Sequence, residues 1–361
     1  MNGRSQTVVV TIQHPGHVHF FRHAVAELEK RGHEVHVFAR ESEVVVDLLE
    51  AYDLEYELLA GESTSLFSLA AVQATYETRL LRRAKRLGPD VITAIGGVAA
   101  AHVATALGAK SIVFYDTEHA TLVTKLAYPF ADVVCTPSCY RGEIGAKQVS
   151  YPGYHELAYL HPDRFEPDPS VLEAAGIEPE ETLAVVRLSK WGASHDVGQG
   201  GFEDPRAVVS RLEGAGARVL LTAEGTLPAG LESYRLTTPP ERMHDLLAYA
   251  DVVVGEGATT AAEAAVLGTP SVYVNSLSLG YTTELEERYG LVFNCNGEDR
   301  HARALETAVS ILEDGDQSVW AERRQRLLEE RVDVTDVVVR ELEAAGSGEE
   351  PDRSTPVAHP S

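Results

Sequence analysis

The chain has 361 residues, which is long for one domain and sufficient for two domains with a cleft between them. Its 55 Asp and Glu outnumber its 31 Lys and Arg, so the formal net charge is −24 and there is no basic stripe to bind duplex nucleic acid. Because only six of these cations are Lys, the composition is typical of cytoplasmic proteins from salt-accumulating halophiles. A merely acidic protein from a mesophile is the alternative.

The cysteine content and the hydropathy pattern both argue against export and against a membrane-spanning segment. The three cysteines are too few and too dispersed for a disulfide framework or a four-thiolate zinc site. The N-terminus passes from a polar stretch directly into a strand-like run, without the pattern of a signal peptide. Residues 91–109 carry no charge, but Gly96 and Gly97 divide them into a strand and an alanine-rich helix. We therefore expect a cytoplasmic protein.

The first half of the chain alternates strand-like and helix-like segments, which predicts a parallel sheet covered by helices. The strand-like runs are rich in β-branched residues, and glycines stop several of the helices. Strands are predicted at 7–13, 34–39, 54–58, 91–95, 111–115 and 132–135, and helices at 16–31, 43–52, 66–87, 98–107 and 120–126. These segments make up a first doubly wound domain.

The alternation breaks in a segment of Pro, Gly, His and acids and then restarts, so a second domain of the same kind is expected. Strands are predicted at 182–187, 218–222, 251–254, 271–274 and 291–293, and helices at 205–214, 239–249, 284–289, 300–313 and 319–344. The predicted division is an N-terminal domain at 1–160, a linker at 161–180, a C-terminal domain at 181–345 and a disordered tail at 346–361. The fold class is α/β, with two Rossmann-like domains facing a cleft.

The stretch GEGATTAAEAAVLGTP at 255–270 lies between two apolar runs and predicts a glycine turn followed by a helix. Unpaired amides and the positive end of the helix dipole favour an anion there. Gly255 and Gly257 let a phosphate approach the backbone, with Thr259 and Thr260 beside it. Glu263, one turn into the helix, could accept a hydrogen bond from a sugar hydroxyl, and a solvated or helix-start carboxylate is the alternative.

The loop HPGHVH follows the first strand, at the edge where doubly wound sheets bind ligands. Gly16 suits a close substrate approach, and His14 or His17 could act as a base or polarise a hydroxyl. Capping or solvated histidines are the alternative. A metal site is also considered, because His19 and His23 are one helical turn apart.

Two carboxylates follow the fifth predicted strand at the same edge. They are Asp116 and Glu118, in the sequence YDTEH, which also contains His119. Such a group could supply general acid–base catalysis. The alternative is that Asp116 caps the next helix.

Cationic and hydroxyl side chains follow the first strand of the second domain, in the sequence RLSKWGASH. Arg187, Ser189 and His195 are positioned where a diphosphate would need positive charge and hydrogen bonds. A surface loop without a ligand is the alternative. These residues therefore join the glycine turn as candidates for binding a diphosphate.

Two segments of the sequence, taken together, resemble known proteins. The N-terminal HPGHVHFF…ELEKRGHEVHVFAR and the C-terminal ADVVVGEGATTAAEAAVLGTPSVYVNS…TELEERYGLVF resemble the two-domain GT-B superfamily. Within it, the chain is similar to the N-acetylglucosaminyltransferases of lipid-linked peptidoglycan synthesis and to the UDP-N-acetylglucosamine 2-epimerases. Over residues 7–345 it most resembles an archaeal family of unknown function (DUF354).

This resemblance implies a nucleotide sugar bound mainly by the C-terminal domain and an acceptor bound by the N-terminal one. Glu263 matches the acid that binds the nucleotide ribose, and residues 257–260 match the turn at the diphosphate. Glu284 matches polar contacts to the donor sugar, and His17 matches the histidine of the transferases' N-terminal loop. The acidic pattern of the epimerases is echoed only by Asp116 and Glu118.

The expected function is therefore a metal-independent glycosyltransferase that moves a sugar, such as an N-acetylhexosamine, to a lipid-linked or small acceptor. The base would be His17 or one of Asp116 and Glu118. A 2-epimerase and a non-catalytic nucleotide-sugar binder are the alternatives. No cofactor is expected, because the nucleotide sugar, expected to be UDP-linked, is a substrate. A lipid-linked acceptor would make the protein peripheral to the membrane, and a homodimer is left open.

Overall fold

The computed structural model describes residues 4–61, 66–119, 121–188, 202, 204–223 and 227–348. The chain divides into two compact α/β units. The first unit contains the residues up to Arg164 and those from Arg331 onward, and the second contains the residues from Phe165 to Glu330. No helix in the described ranges combines the length and apolar character needed to cross a bilayer.

The first unit is built on a sheet of seven parallel strands in the order β3-β2-β1-β4-β5-β6-β7. The strands are β1 (Thr7–Ile12), β2 (Glu34–Arg40), β3 (Tyr56–Ala60), β4 (Val91–Ile95), β5 (Lys110–Phe114), β6 (Val133–Pro137) and β7 (Gln148–Tyr151). Val8, Val9 and Val10 of the central strand β1 are all buried, as expected for a parallel sheet covered on both faces. The strand order reverses between β1 and β4, and ligands bind at the carboxyl ends of strands at such points.

Five helices follow strands of this sheet: α1 (Pro15–Lys30), α2 (Glu43–Ala51), α3 (Leu66–Leu87), α4 (Val98–Leu107) and α5 (Thr121–Ala127). The uncharged stretch 91–109 is strand β4 and helix α4, separated by the two glycines, as predicted. Gly97 has a φ of 66°, and a Cβ on it would lie only 2.5 Å from Cγ2 of Val113. This turn therefore requires glycine.

The second unit has five parallel strands in the order β12-β11-β10-β8-β9. They are β8 (Leu183–Leu188), β9 (Arg218–Ala223), β10 (Val252–Gly255), β11 (Ser271–Val274) and β12 (Val292–Cys295). The helices are α6 (Ser170–Ala174), α7 (Pro205–Gly214), α8 (Met243–Ala248), α9 (Ala258–Leu267), α10 (Gly280–Glu284), α11 (Arg300–Asp314) and α12 (Gln317–Glu330), and a π-helical turn at Leu285–Tyr289 continues α10. The strand order reverses between β8 and β10, so this unit has its own ligand-binding edge.

The last helix, α13 (Val334–Ser347), belongs to the first unit, which differs from the predicted domain boundary at 345. The single helix predicted at 319–344 is two helices. The chain breaks before α13 because the Asp333 side chain accepts a hydrogen bond from the amide of Thr335 at 2.8 Å and caps the new helix. Val334, Val337 and Val338 are then buried as α13 packs against α1.

Two further differences concern the middle of the chain. Strand β7 was not predicted, although it adds a seventh strand to the first sheet. The predicted linker at 161–180 contains the unit boundary after Arg164 and also the short helix α6. Most of the predicted disordered tail lies outside the described residues. The predicted fold class, with two Rossmann-like parallel α/β units, is confirmed.

Candidate functional site

The loop between β1 and α1 begins with a histidine cap. His14 is the N-cap of α1, and its Nδ1 accepts a hydrogen bond from the amide of Gly16 at 3.2 Å. This contact is the capping alternative considered for the HPGHVH loop, and it fixes the entry into α1. The ring of His17 lies beside it, with the two ring centroids 5.9 Å apart.

His17 is held as a neutral ring. Its Nδ1 accepts a hydrogen bond from the amide of Gln13 at 3.4 Å. Burial, followed by the positive charges that His14, His155 and Arg40 can carry, lowers the pKa of His17 to about 3. A ring with so low a pKa is a weak proton acceptor, and its Nδ1 lone pair is already engaged. His17 is therefore better suited to donate a hydrogen bond from Nε2 than to act as the base predicted from the sequence.

Asp116 follows β5 and lies beside a histidine that the sequence did not single out. Oδ2 of Asp116 lies 3.1 Å from Nδ1 of His155, and the two side chains are 17% and 8% exposed. Oδ1 accepts a hydrogen bond from the hydroxyl of Thr117 at 2.9 Å. A carboxylate and an imidazole are thus brought together at the C-terminal edge of the first sheet.

His155 begins a short 3₁₀ turn, His155–Ala158, a few residues after β7. Its ring packs on Phe20 of α1 with centroids 4.7 Å apart. Burial lowers the pKa of His155, and the negative charge of Asp116 opposes that shift. The sequence placed this residue just before a linker because β7 was not recognised. A seventh strand would have assigned His155 to the same edge as Asp116.

Glu118 contributes to the structure of this edge. Its Oε1 accepts a hydrogen bond from the amide of Arg141 at 3.2 Å, which joins the loop after β5 to the loop after β6. Burial, aided by the charges of Asp116 and Glu118, raises the pKa of the Tyr115 phenol beside them. Tyr115 therefore remains protonated and can donate a hydrogen bond at neutral pH.

Of the two other histidines of α1, His19 has structural contacts and His23 is half-buried. Nδ1 of His19 lies 3.2 Å from the hydroxyl of Tyr52, and its ring stacks on Tyr159. Burial and the neighbouring cation Arg22 lower the pKa of His23 to about 4. Among the residues that the structure describes, no group of three or more His, Cys, Asp or Glu side chains is arranged to hold a metal ion.

In the second unit, the structure brings Arg187 against the glycine turn. Gly255 at the end of β10 is in register with Arg187 on β8, where the strand order reverses. A Cβ on Gly255 would lie 3.0 Å from the carbonyl oxygen of Arg187, and a Cβ on Gly257 would lie 3.3 Å from its Nε. The absence of side chains here allows the arginine to lie over the turn. Ser189 and His195 lie outside the described residues.

The first turn of α9 carries the remaining candidates of this segment. Gly257 is the N-cap of α9 and has no side chain to occupy the amides of the first turn. Thr259 is exposed and Thr260 is buried. Glu263 is only 8% exposed, which excludes the solvated carboxylate, and its Oε1 lies 3.0 Å from Nε2 of the buried His244 on α8. His244 was not singled out from the sequence.

Glu284 lies at the end of α10, the helix that follows β11. Its side chain is 19% exposed, and Oε1 lies 3.9 Å from Nη1 of Arg288 one turn later. An ion pair at that distance is weak. The assignment of Glu284 to the donor sugar stays a prediction.

Two doubly wound units, each with polar residues at the carboxyl ends of its strands, define the class of this protein as a GT-B fold. A UDP-GlcNAc 2-epimerase from Neisseria meningitidis, bound to UDP-GlcNAc, has a TM-score of 0.67 and 9% identity, covering 93% of this chain and 99% of that one. A Streptomyces glycosyltransferase complexed with thymidine diphosphate has a TM-score of 0.62 and 14% identity, covering 92% and 99%.

The sequence match identifies the particular family. The chain belongs to the family described as Protein of unknown function (DUF354), whose model matches residues 7–279. An uncharacterized protein from Methanocaldococcus jannaschii is 24% identical over 280 residues, which cover 73% of this chain and 80% of the relative. The resemblance predicted from the quoted segments is therefore confirmed.

Proposed function

We propose that this protein is a glycosyltransferase that uses a nucleotide-activated sugar, with an N-acetylhexosamine as the first donor to test and a lipid-linked or small molecule as acceptor. The observation that carries the proposal is the position of Arg187 over the glycine turn at 255–257. A guanidinium and the free amides at the start of α9 form a cationic, hydrogen-bonding environment for a diphosphate. In a chain with a net charge of −24, such an environment is a specific local feature.

The donor is proposed to bind the second unit through its diphosphate and ribose. As the bond from the sugar to the diphosphate breaks, negative charge grows on the leaving oxygen, and Arg187 with the α9 amides stabilises it. Glu263 accepts a hydrogen bond from a ribose hydroxyl, and the contact with His244 fixes the direction of its carboxylate. The bound nucleotides of the Neisseria and Streptomyces proteins support this use of the fold.

The first unit is proposed to bind the acceptor and to remove the proton from its reacting hydroxyl. His17, Asp116 and Glu118 were predicted for this role, and Asp116 is the member that has a histidine partner. No step of this mechanism requires a metal, because the charge on the diphosphate is met by the arginine and the amides.

A thermal-shift panel tests the proposal. UDP-, GDP-, dTDP- and CMP-sugars are added at high salt, and a ligand at 100 times its Kd stabilises the native state by about 2.7 kcal/mol. Arg187→Gln should weaken binding of the active nucleotide sugar about 10- to 100-fold, as expected for loss of a hydrogen bond to a charged group. Arg211→Gln, at an exposed arginine on α7, is the matched control. If no nucleotide sugar raises the melting temperature, the donor site is refuted.

A 2-epimerase is the second candidate, favoured by the partly buried carboxylates of Asp116 and Glu118 on one loop. Two such groups could remove a proton from the sugar and return it on the other face. Incubation with UDP-GlcNAc alone separates the two functions. Formation of UDP-N-acetylmannosamine, or of free N-acetylmannosamine and UDP when water replaces the diphosphate at the anomeric carbon, supports the epimerase, whereas unchanged substrate favours transfer.

A further inference from the structure

We propose that Glu256 is the residue that positions the glycine turn at 255–257, and that its negative charge weakens binding of the nucleoside diphosphate product more than binding of the nucleotide sugar. This inference rests on the proposed transferase function. Glu256 lies between Gly255 and Gly257, directly before the N-cap of α9. A carboxylate in the middle of an anion-binding turn is unexpected, because it repels the ligand. Its contacts show what it contributes.

The side chain of Glu256 is buried and anchors the turn to the chain that leads into α7. Glu256 is only 7% exposed, and its Oε1 accepts a hydrogen bond from the amide of Phe202 at 2.6 Å. A buried carboxylate must be hydrogen-bonded to be tolerated, and a hydrogen bond to a charged acceptor is stronger than one between neutral groups. The glycine turn is therefore tied to Phe202 by a strong contact.

Phe202 is itself held in place by its surroundings. It is 1% exposed, and its ring packs on His301 of α11 with ring centroids 5.5 Å apart. Two residues later, Asp204 caps α7 by accepting a hydrogen bond from the amide of Arg206 at 3.0 Å. The partner of Glu256 is thus fixed by α11 and by the start of α7.

The backbone of Glu256 is held separately from its side chain. Nδ2 of Asn275, which follows β11, donates to the carbonyl of Glu256 at 3.2 Å. Oδ1 of Asn275 accepts from the amide of Leu277 at 3.1 Å, which fixes the orientation of the asparagine. Because the turn is held at both its side chain and its carbonyl, the amides that follow at the start of α9 keep one arrangement. Amides positioned in advance are what stabilises a leaving diphosphate.

The charge of Glu256 distinguishes the product from the donor. When the sugar leaves, the oxygen that carried it becomes a terminal phosphate oxygen, so the product has about one more negative charge than the donor. Arg187 and the α9 amides attract both ligands, and on their own they would hold the product more tightly. The carboxylate of Glu256 opposes this preference. It therefore favours product release, a step that limits turnover in many enzymes.

The first experiment needs no ligand and measures the anchor. In the full-length protein with ¹⁵N-labelled phenylalanine, NMR should find the amide of Phe202 protected from hydrogen exchange in wild type and in Glu256→Gln, whose side-chain oxygen still accepts. Exchange should be about 10-fold or more faster in Glu256→Ala, as expected for loss of a hydrogen bond to a charged group. Glu313→Gln, which removes an exposed charge near the end of α11, is the control. Equal protection in wild type and Glu256→Ala would overturn the positioning role.

The second experiment measures Kd for UDP-GlcNAc and for UDP by calorimetry near pH 7.5, where the terminal phosphate is almost fully charged. Glu256→Gln should tighten binding of UDP about 5- to 30-fold more than binding of UDP-GlcNAc, as expected for one extra charge at roughly 8 Å and an effective dielectric constant of about 20–40. Glu313→Gln should leave the ratio of the two Kd values as in wild type. An unchanged ratio in Glu256→Gln would overturn the proposal.

Glu256→Ala separates the anchor from the charge, because it loses the same charge as Glu256→Gln but also loses the hydrogen bond. It should show the same change in the Kd ratio and bind both ligands about 10-fold or more weakly than Glu256→Gln. Equal affinities in the two variants would refute the positioning role, even if the Kd ratio changed.

This proposal and the transferase function can fail separately. If another nucleotide sugar of the thermal-shift panel binds, it and its nucleoside diphosphate replace UDP-GlcNAc and UDP. If wild type binds no nucleotide sugar, the donor site fails, and the role of Glu256 fails with it. If wild type binds one and the Kd ratio is the same in Glu256→Gln, only the role of Glu256 is wrong.

Discussion

Gly153 precedes the turn that carries His155, and it has no room for a methyl group. A Cβ at this position would lie 2.6 Å from Cγ2 of Val334, the first residue of α13. Valine has a stiff side chain, so Gly153→Ala must move the contact between the turn and α13. Overpacking of this kind costs about 1–3 kcal/mol of unfolding free energy. For a unit of this size, each kcal/mol lowers the melting temperature by about 2–4 °C.

A double-mutant cycle with Val334→Ala measures this contact by urea unfolding. Val334→Ala alone loses buried methyl groups and costs roughly 1–3 kcal/mol, but it also removes the atom that the new Cβ would meet. The double variant should therefore be more stable than the sum of the two losses by about 1 kcal/mol. Gly214→Ala is the control, because nothing lies within 4 Å of a Cβ there. Strict additivity of the two changes would refute the packing of α13 against this turn.

Three other changes test the charges of the molecule. Glu263→Gln should weaken nucleotide-sugar binding about 10-fold by calorimetry, because its contact with His244 orients a charged acceptor; equal affinity would exclude Glu263 from the site. His17→Gln should reduce the loss of stability between about pH 6.5 and 4, because the unfolded ring binds a proton there and the folded ring, with its pKa of about 3, does not. Urea unfolding at several pH values should show that the free energy of unfolding falls less steeply with decreasing pH than in wild type, by the equivalent of up to one bound proton. Raising KCl from 0.1 to 2 M should raise the melting temperature, because salt screens the repulsion of a net charge of −24; an unchanged value would contradict this.

Local signals in the sequence were sufficient to predict most elements of the fold. Helix α7 was predicted with its observed bounds, because Pro205 suits the first turn and Asp204 caps it by accepting from the amide of Arg206 at 3.0 Å. The βαβ unit around 255–270 was predicted from β-branched runs on either side of a glycine turn. In both cases the residues that decide the structure are neighbours in the chain.

The features that were not predicted have weak or concealed local signals, or depend on contacts between distant residues. One capping aspartate causes the break before α13. The charged, periodic pattern of α12 continues into α13, so the pattern does not reveal the break. Strand β7 is short and has only two buried residues, so it lacks the apolar run of the other strands. Because His155 depends on β7 for its place in the sheet and on α13 for its support, its pairing with Asp116 could not be inferred from spacing.

The acidic composition and the proposed diphosphate site impose opposite requirements. At low salt, a net charge of −24 repels a nucleotide diphosphate over a distance of several ångströms. At 1 M salt the Debye length is about 3 Å, so this repulsion is screened, whereas direct contacts to Arg187 and to the amides of α9 persist. Affinity for a nucleotide sugar should therefore depend weakly on salt concentration or rise with it. Most phosphate sites, in contrast, lose affinity as the salt concentration rises. A steep fall in affinity between 0.1 and 1 M KCl would contradict this prediction, because it would mean that long-range attraction dominates binding.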